Sequence, residues 1–151
     1  MTQHQVEARR ARAQAGPFWQ QHREVWAASG GSDMTEVLGM GVLQLSTVGR
    51  RSGKERWVLL TYLPADNGWL VAASNLGAEN DPAWWSNLAA NDGLGSVTIG
   101  GTTTPIRARA LDGAERDAAY ARFVTTYGGY ADYEKWTDRK IPVIALETPE
   151  K

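Results

Sequence analysis

No cysteine occurs in the 151 residues, which excludes disulfides, thiolate nucleophiles, iron–sulfur clusters and cysteine zinc sites together. Histidine is almost as scarce: His4 and His22 are the only two. The chain beyond residue 22 therefore cannot build a Ser-His-Asp triad or a multi-histidine metal centre, and no metal site is expected. Neither sign of charge dominates. Sixteen basic against 17 acidic side chains leave a net charge of −1, which argues against a nucleic-acid partner. No stretch approaches the roughly 20 apolar residues of a membrane span. Chemistry must come from Ser, Thr, Tyr, Asp, Glu, Lys, Arg and the backbone, or from an imported cofactor. What is abundant is tryptophan, with seven copies, and a chain of this length suits one domain with a core that needs no staples.

Residues 1–29 form an Ala-, Gln-, Glu- and Arg-rich helical segment ahead of a body over residues 30–151. Pro17 after Gly16 predicts a split into a polar first helix and a second over about Phe18–Ala28. Phe18, Trp19 and Trp26 are expected on one apolar face, covering an end of the body. With Arg9, Arg10, Arg12 and Arg23 against Glu7 and Glu24, the segment also allows weak contact with an anionic membrane surface. It lacks the apolar run of a secretion signal, so a cytoplasmic location is expected, with the inner membrane face as a variant.

The body reads as strands at Val42–Val48, Arg56–Leu63, Trp69–Ser74, Ser96–Ile99, Thr104–Leu111 and Ile141–Leu146. Helices are expected from Asp81-Pro82 (Asp as N-cap, Pro at the first helical position), from Asp112 with Glu115 as a capping box to about Thr126, and over Tyr130–Asp138. Six short strands with hairpin turns and inserted helices predict an α+β, mainly β chain: an antiparallel β-barrel rather than a doubly wound parallel sheet. No glycine-rich turn of the dinucleotide or P-loop type is present.

Three segments could carry chemistry. Gly49-Arg50-Arg51-Ser52-Gly53-Lys54-Glu55-Arg56 puts four cations in seven residues on a turn, which suits a phosphate or polycarboxylate or, equally, a solvated hairpin tip. Ala72-Ala73-Ser74-Asn75-Leu76-Gly77-Ala78, leading to Pro82, places small residues at a strand end where a flat ring can approach, with a helix N-terminus beyond. Core packing is the ordinary use of the adjacent Trp84 and Trp85. In Tyr127–Arg139, Tyr130, Tyr133 and Trp136 recur every three residues along one helix face, where phenols can donate a proton in a dry pocket or simply pack.

Together, the stretches TVGRRSGKER, VAASNLGAENDPAWWSNLAAN and TTYGGYADYEKWTDRKIPVIALET resemble the deazaflavin-dependent nitroreductase family of actinobacteria and some archaea. The resemblance covers about Leu43 to Thr148 and leaves the N-terminal helix outside. It implies a split β-barrel that binds 8-hydroxy-5-deazaflavin (coenzyme F420) and passes its hydride to an electron-poor acceptor: an activated C=C, a quinone or a nitro aromatic. It further implies that Arg50, Arg51, Ser52, Lys54 and Arg56 bind the coenzyme's tail. Ala72, Ala73, Ser74, Gly77, Ala78, Pro82 and Trp84 would bind its ring, and Tyr127, Tyr130, Tyr133 and Trp136 would line the substrate side. Two positions depart from the family pattern: Thr61 stands where nitroreductases carry a substrate-facing tyrosine, and Asn75 where a lysine often assists the tail. Ser74, Tyr130 and Tyr133 are the candidates for acceptor hydrogen bonding and proton delivery. The competing readings are an FMN- or FAD-dependent split-barrel oxidoreductase and a non-catalytic deazaflavin carrier. Composition does not separate a monomer from a homodimer.

Overall fold

The protein is described here from a computed structural model covering residues 2–32 and 35–149; the end points of the expected two-part division, Met1 and Lys151, lie outside these. Seven strands form one antiparallel sheet: β1 (Glu36–Val37), β2 (Met40–Val48), β3 (Glu55–Ala65), β4 (Gly68–Ala72), β5 (Leu94–Ile99), β6 (Thr102–Ala110) and β7 (Val143–Glu147). Their order is β1-β2-β3-β4-β7-β6-β5, and β2 also pairs with β5 through Gln44–Thr98, Leu45–Val97 and Ser46–Ser96. That second pairing closes six strands into a barrel, in which β3 meets β4 only over Leu63–Ala65. The expected antiparallel barrel is present, and the two-residue β1 was not legible as a strand.

The apolar runs in β4 and β7 show how the barrel is covered. Val71, Ile144 and Leu146 join Leu43, Leu45, Val97 and Ile106 in one cluster, plugged by Trp84 and Leu88 of helix α2 (Ala83–Ala90). The alternate residues Leu70, Val143 and Ala145 belong to a second cluster with Tyr120 and Phe123 of α3 (Gly113–Thr126) and Tyr130 and Tyr133 of α4 (Gly129–Trp136). Both faces of these strands are thus buried, which removes the apolar–polar alternation of a half-solvated sheet. A third cluster joins Trp26 of α1 (Gln3–Ser29) to Val42 and Leu59.

Several local expectations are corrected. Pro17 does not split the N-terminal helix: α1 runs unbroken from Gln3 to Ser29 and stops at left-handed Gly30. Proline removes its own N–H from the ladder and crowds the carbonyl four residues before it, but both halves of α1 are held by tertiary contacts that offset this. Tryptophan Nε1 of residue 136 donates to Glu7 at 3.3 Å; Arg23 donates to the Trp57 carbonyl at 2.9 Å with its guanidinium 3.7 Å from the Trp57 ring centroid; Trp26 Nε1 donates to Gln44 at 2.9 Å. Of the three aromatic residues expected on one face, Trp26 is buried and Trp19 partly buried, whereas Phe18 is 43% exposed. The capping box forms at Thr2 and Gln5, not at Asp112, whose side chain makes no cap; Glu115 pairs with Arg109 instead. Helix α2 begins one residue late, with Pro82 at the N-cap, because the Asp81 carboxylate is engaged by Arg139 at 3.0 Å. Helix α4 ends at Trp136 and β7 starts at Val143, each short of the expected limit.

Candidate active site

One cavity of about 1070 Å³ lies between α1, the barrel wall at β2 and β3, the β4–α2 connection and α4. One end is the β2–β3 hairpin turn. The Gly49 N–H donates to the Lys54 carbonyl and the Gly53 N–H to the Gly49 carbonyl, both at 2.8 Å, with left-handed Gly53 (φ 71°) reversing the chain. Side chains 50, 51, 52, 54 and 56 are all exposed, and Arg50, Arg51, Ser52 and Arg56 line the cavity. Lys54 does not line it. Among the described residues, none of these four cations is paired with a carboxylate. Buried Asn87 of α2 sits behind the turn: its Oδ1 accepts from the Arg50 backbone N–H at 3.2 Å and from Arg50 Nη1 at 2.9 Å, and its Nδ2 donates to Thr47 at 3.4 Å.

The middle of the cavity is bounded by Ala72, Ser74, Asn75, Leu76, Pro82, Ala83 and Trp84. Ala73, Gly77 and Ala78 do not line it. Ala73 is fully buried in the core, and a Cβ on Gly77 would lie 3.0 Å from the Trp136 ring and 3.2 Å from Tyr133 Cα. The two residues keep the strand end and the loop close to their neighbours, which is a use of smallness different from direct contact with a ring.

The far end is aromatic. Tyr127, Tyr130 and Tyr133 line the cavity, their successive ring centroids 5.9 and 5.3 Å apart in near-perpendicular contacts. Trp136 continues the row at 5.6 Å from Tyr133 but turns to Glu7 instead of the cavity. Thr61 Oγ1 and Tyr130 Oη are 3.0 Å apart, and either can donate. Burial raises the Tyr130 phenol above the ordinary tyrosine range, opposed by the Thr61 hydrogen bond, and burial likewise raises Tyr133. Both phenols are therefore protonated across the ordinary pH range and can serve as proton donors, not as bases.

The roof was not foreseen as part of the site. Ala11, Gln14, Ala15, Phe18, Trp19 and Arg23 of α1 face the cavity, joined by Val37 and Leu38 of the segment that follows. Asn87 was also missed, because a lone asparagine in a helix carries no signal of what its amide will meet. Arg139, which ties down the β4–α2 loop, ends the third segment singled out in the sequence but was given no role there, because its partners lie about 60 residues away. The seven-residue spacing of Trp19 and Trp26 was the one available hint that α1 covers part of the body.

The chain was compared with known proteins. Residues 18–148 match the model of the family described as F420H(2)-dependent quinone reductase. This match begins inside α1, earlier than the three motifs alone placed it. A Mycobacterium tuberculosis protein, provisionally named as an F420H(2)-dependent quinone reductase, is 36% identical over 97 residues, which cover 64% of this chain and 81% of that relative. A solved F420-H2 dependent reductase is 36% identical with a TM-score of 0.62, covering 70% of this chain and 93% of its own. A second solved structure, a domain-swapped dimer, is 32% identical with a TM-score of 0.65, covering 88% of this chain and 99% of its own.

Proposed function

The chain belongs to the F420H(2)-dependent quinone reductase family, as an oxidoreductase whose hydride donor is the reduced deazaflavin coenzyme, and on that premise we propose a role for each wall of the cavity. The basic turn holds the anionic tail through Arg50, Arg51, Ser52 and Arg56, with Lys54 adding to the field from outside the wall. The strand end at Ala72–Ser74, with Pro82 and Trp84, flanks the ring, while Ala73, Gly77 and Ala78 shape that wall from behind. Thr61, Tyr127, Tyr130 and Tyr133 form the acceptor's wall, a quinone-type molecule being the substrate, and Trp136 braces them.

The observation that carries this reading is the continuity of one cavity from Arg50, Arg51 and Arg56, none of them paired with a carboxylate among the described residues, to a row of phenols. Its volume exceeds the upper part of the roughly 300–1,000 Å³ range for single drug-sized ligands, in keeping with a large cofactor beside a second molecule. Four cations spread along a turn suit a long, flexible polyanion better than the single phosphate of FMN. That favours the deazaflavin over the flavin alternative.

When bound, the coenzyme supplies the hydride; the protein supplies orientation, a water-poor enclosure and a proton. Tyr133 and Tyr130 are the donors available to the product oxygen or carbon. When Thr61 donates to Tyr130, the Tyr130 proton is free to point into the cavity; when Thr61 accepts, that proton is held. Ser74, only 9% exposed, offers a hydroxyl to the middle of the cavity. Replacing the family's tyrosine by Thr61 opens space at this end, which favours a broader ring than a nitroimidazole.

Contact of residues 1–29 with a membrane surface finds little support, since Trp19 and Trp26 are spent on the barrel and only Val6 and Phe18 remain as large exposed apolar side chains of α1. Among the described residues, no helix is long and apolar enough to cross a membrane. Similarity to the domain-swapped structure supports a homodimer, for which light scattering should return twice the 16.5 kDa chain mass. The reductase reading is tested by following oxidation of reduced F420 with quinones, enones and nitroaromatics in parallel. Quinone-dependent oxidation is expected; coenzyme binding with no oxidation by any acceptor would make the protein a carrier.

A further inference from the structure

Arg139, in the connection after α4, donates four hydrogen bonds into one loop. Its Nε reaches the Ala78 carbonyl at 2.9 Å, Nη1 the Ala73 carbonyl at 3.2 Å and the Asp81 carboxylate at 3.0 Å, and Nη2 the Ser74 carbonyl at 2.8 Å. The loop needs such a fastener. Asn75, Leu76 and Gly77 are all left-handed, with φ of 46°, 53° and 75°, a region that Gly and Asn tolerate but that the Leu76 side chain disfavours. This backbone turns the carbonyls of Ala73, Ser74 and Ala78 toward one point; the Gly77 N–H meets the Ser74 carbonyl at 2.9 Å, and Arg139 reaches all three. The guanidinium side chain is only 16% exposed, and its backbone is held by a hydrogen bond from its own N–H to the Thr137 hydroxyl at 3.3 Å.

We infer that Arg139 is a positioning residue: by gathering the carbonyls of Ala73, Ser74 and Ala78 with the Asp81 carboxylate, it sets the gap between the Ser74 wall and the Tyr130–Tyr133 wall. The inference rests on the cavity reading given above. Two connections support it. Arg139 follows α4 by three residues, so the guanidinium ties the aromatic helix to the loop directly. The loop meets α4 so closely at left-handed Gly77 that a Cβ there would lie 3.0 Å from the Trp136 ring and 3.2 Å from Tyr133 Cα, so any side chain would push the two apart. A fixed gap holds donor and acceptor at reacting distance, and a displacement of about 1 Å can cost on the order of 100-fold in rate. Lysine cannot substitute, because a point ammonium with three donors does not span four acceptors.

The test uses full-length wild type, Arg139→Lys, Arg139→Met and Asp81→Asn. In the ligand-free proteins, hydrogen exchange of amides 74–80 should accelerate about tenfold or more in Arg139→Met, while β2 and β5 exchange as in wild type. With F420 and a quinone, kcat should fall about 20-fold or more in Arg139→Met and less in Arg139→Lys. Coenzyme Kd should rise by a smaller factor than kcat falls, because the ring wall loosens while the tail turn is left intact. Asp81→Asn, which keeps the three carbonyl contacts, should fold normally and lose about two- to threefold in kcat. Guanidinium added to Arg139→Ala, made as a fifth protein, should restore part of kcat and of the wild-type exchange of amides 74–80 together, with β2 and β5 exchange unchanged. Wild-type-like loop exchange, or kcat within twofold in Arg139→Met, overturns the inference. Failure of wild type to bind F420 overturns the cavity reading first and the positioning role with it; binding and turnover by wild type with unaffected variants overturns only the role of Arg139.

Discussion

Tyr130 and Tyr133 differ in what holds them, and the difference should separate their roles. Tyr130 shares a hydrogen bond with Thr61, while Tyr133 hydrogen-bonds Tyr127 and packs edge-on against Tyr130 and tilted against Trp136. Tyr133→Phe keeps the packing and removes the proton, so turnover with a quinone should fall by about 10²-fold, as for loss of a general acid, with coenzyme Kd unchanged. Steady-state kinetics beside a fluorescence titration check this, and unchanged turnover removes the donor role. Asn87 presents the complementary case at the other end of the cavity. Asn87→Ala strands the Arg50 contacts and should weaken coenzyme binding about tenfold, the equivalent of about 1.4 kcal/mol for a hydrogen bond to a charged group. Single exposed cations such as Arg51 or Lys54 should matter less, about 0–1 kcal/mol each, with affinity that weakens as salt rises.

At the scale of elements, α1 is the informative piece. Its inner face closes the cavity, yet Gly16 and Pro17 lie in mid-helix where each costs helix stability. Pro17→Ala should stabilise the protein by about 1–3 kcal/mol, visible as a Tm rise of roughly 2–4 °C per kcal/mol. A lower Tm would mean that the proline is needed to fit α1 to the barrel. The same element shows what sequence can and cannot convey. Gly16-Pro17 is a strong local signal for a break, but the contacts that override it, Glu7 to Trp136 and Trp26 to Gln44, span 129 and 18 residues and leave no local trace. The basic turn and the tyrosine row were legible because each is a local pattern with a charge or a period. Asn87 and Arg139 were not, because their importance lies in what distant backbone they meet. The capping box at Asp112 failed for a similar reason: Glu115 had a better partner in Arg109, brought near by β6.

For the whole molecule, closure of the barrel depends on the β2–β5 seam. A Cβ on Gly95 would lie 2.8 Å from the Ser46 carbonyl across that seam and 3.0 Å from Leu88. Gly95→Val should therefore destabilise the protein by about 2–4 kcal/mol, read from denaturant midpoints with an unchanged m-value. The strands themselves were legible from their β-branched and aromatic runs, whereas the closing pair was not, since β2 and β5 lie far apart in the chain and their pairing is a property of the closed sheet. Burial also raises the phenols of Tyr120, Tyr130 and Tyr133 together. A raised folded-state value gives stability that is complete below the unfolded value of about 10 and is lost as pH rises beyond it. Unfolding midpoints should hold from about pH 7 to 9 and fall above about pH 10, and a flat profile to pH 11 would show that the phenols ionise freely in the fold.

The central claim is that one cavity takes the deazaflavin by its tail and ring. It is tested most directly by titrating wild type and Arg50→Gln/Arg51→Gln with coenzyme F420 while following tryptophan fluorescence, beside a matched FMN titration. Saturable quenching by F420, weak response to FMN, and a tenfold or greater loss of F420 affinity in the double variant are expected, the last corresponding to about 1.4 kcal/mol. Tight FMN binding without F420 binding, or F420 affinity indifferent to both arginines, would contradict it.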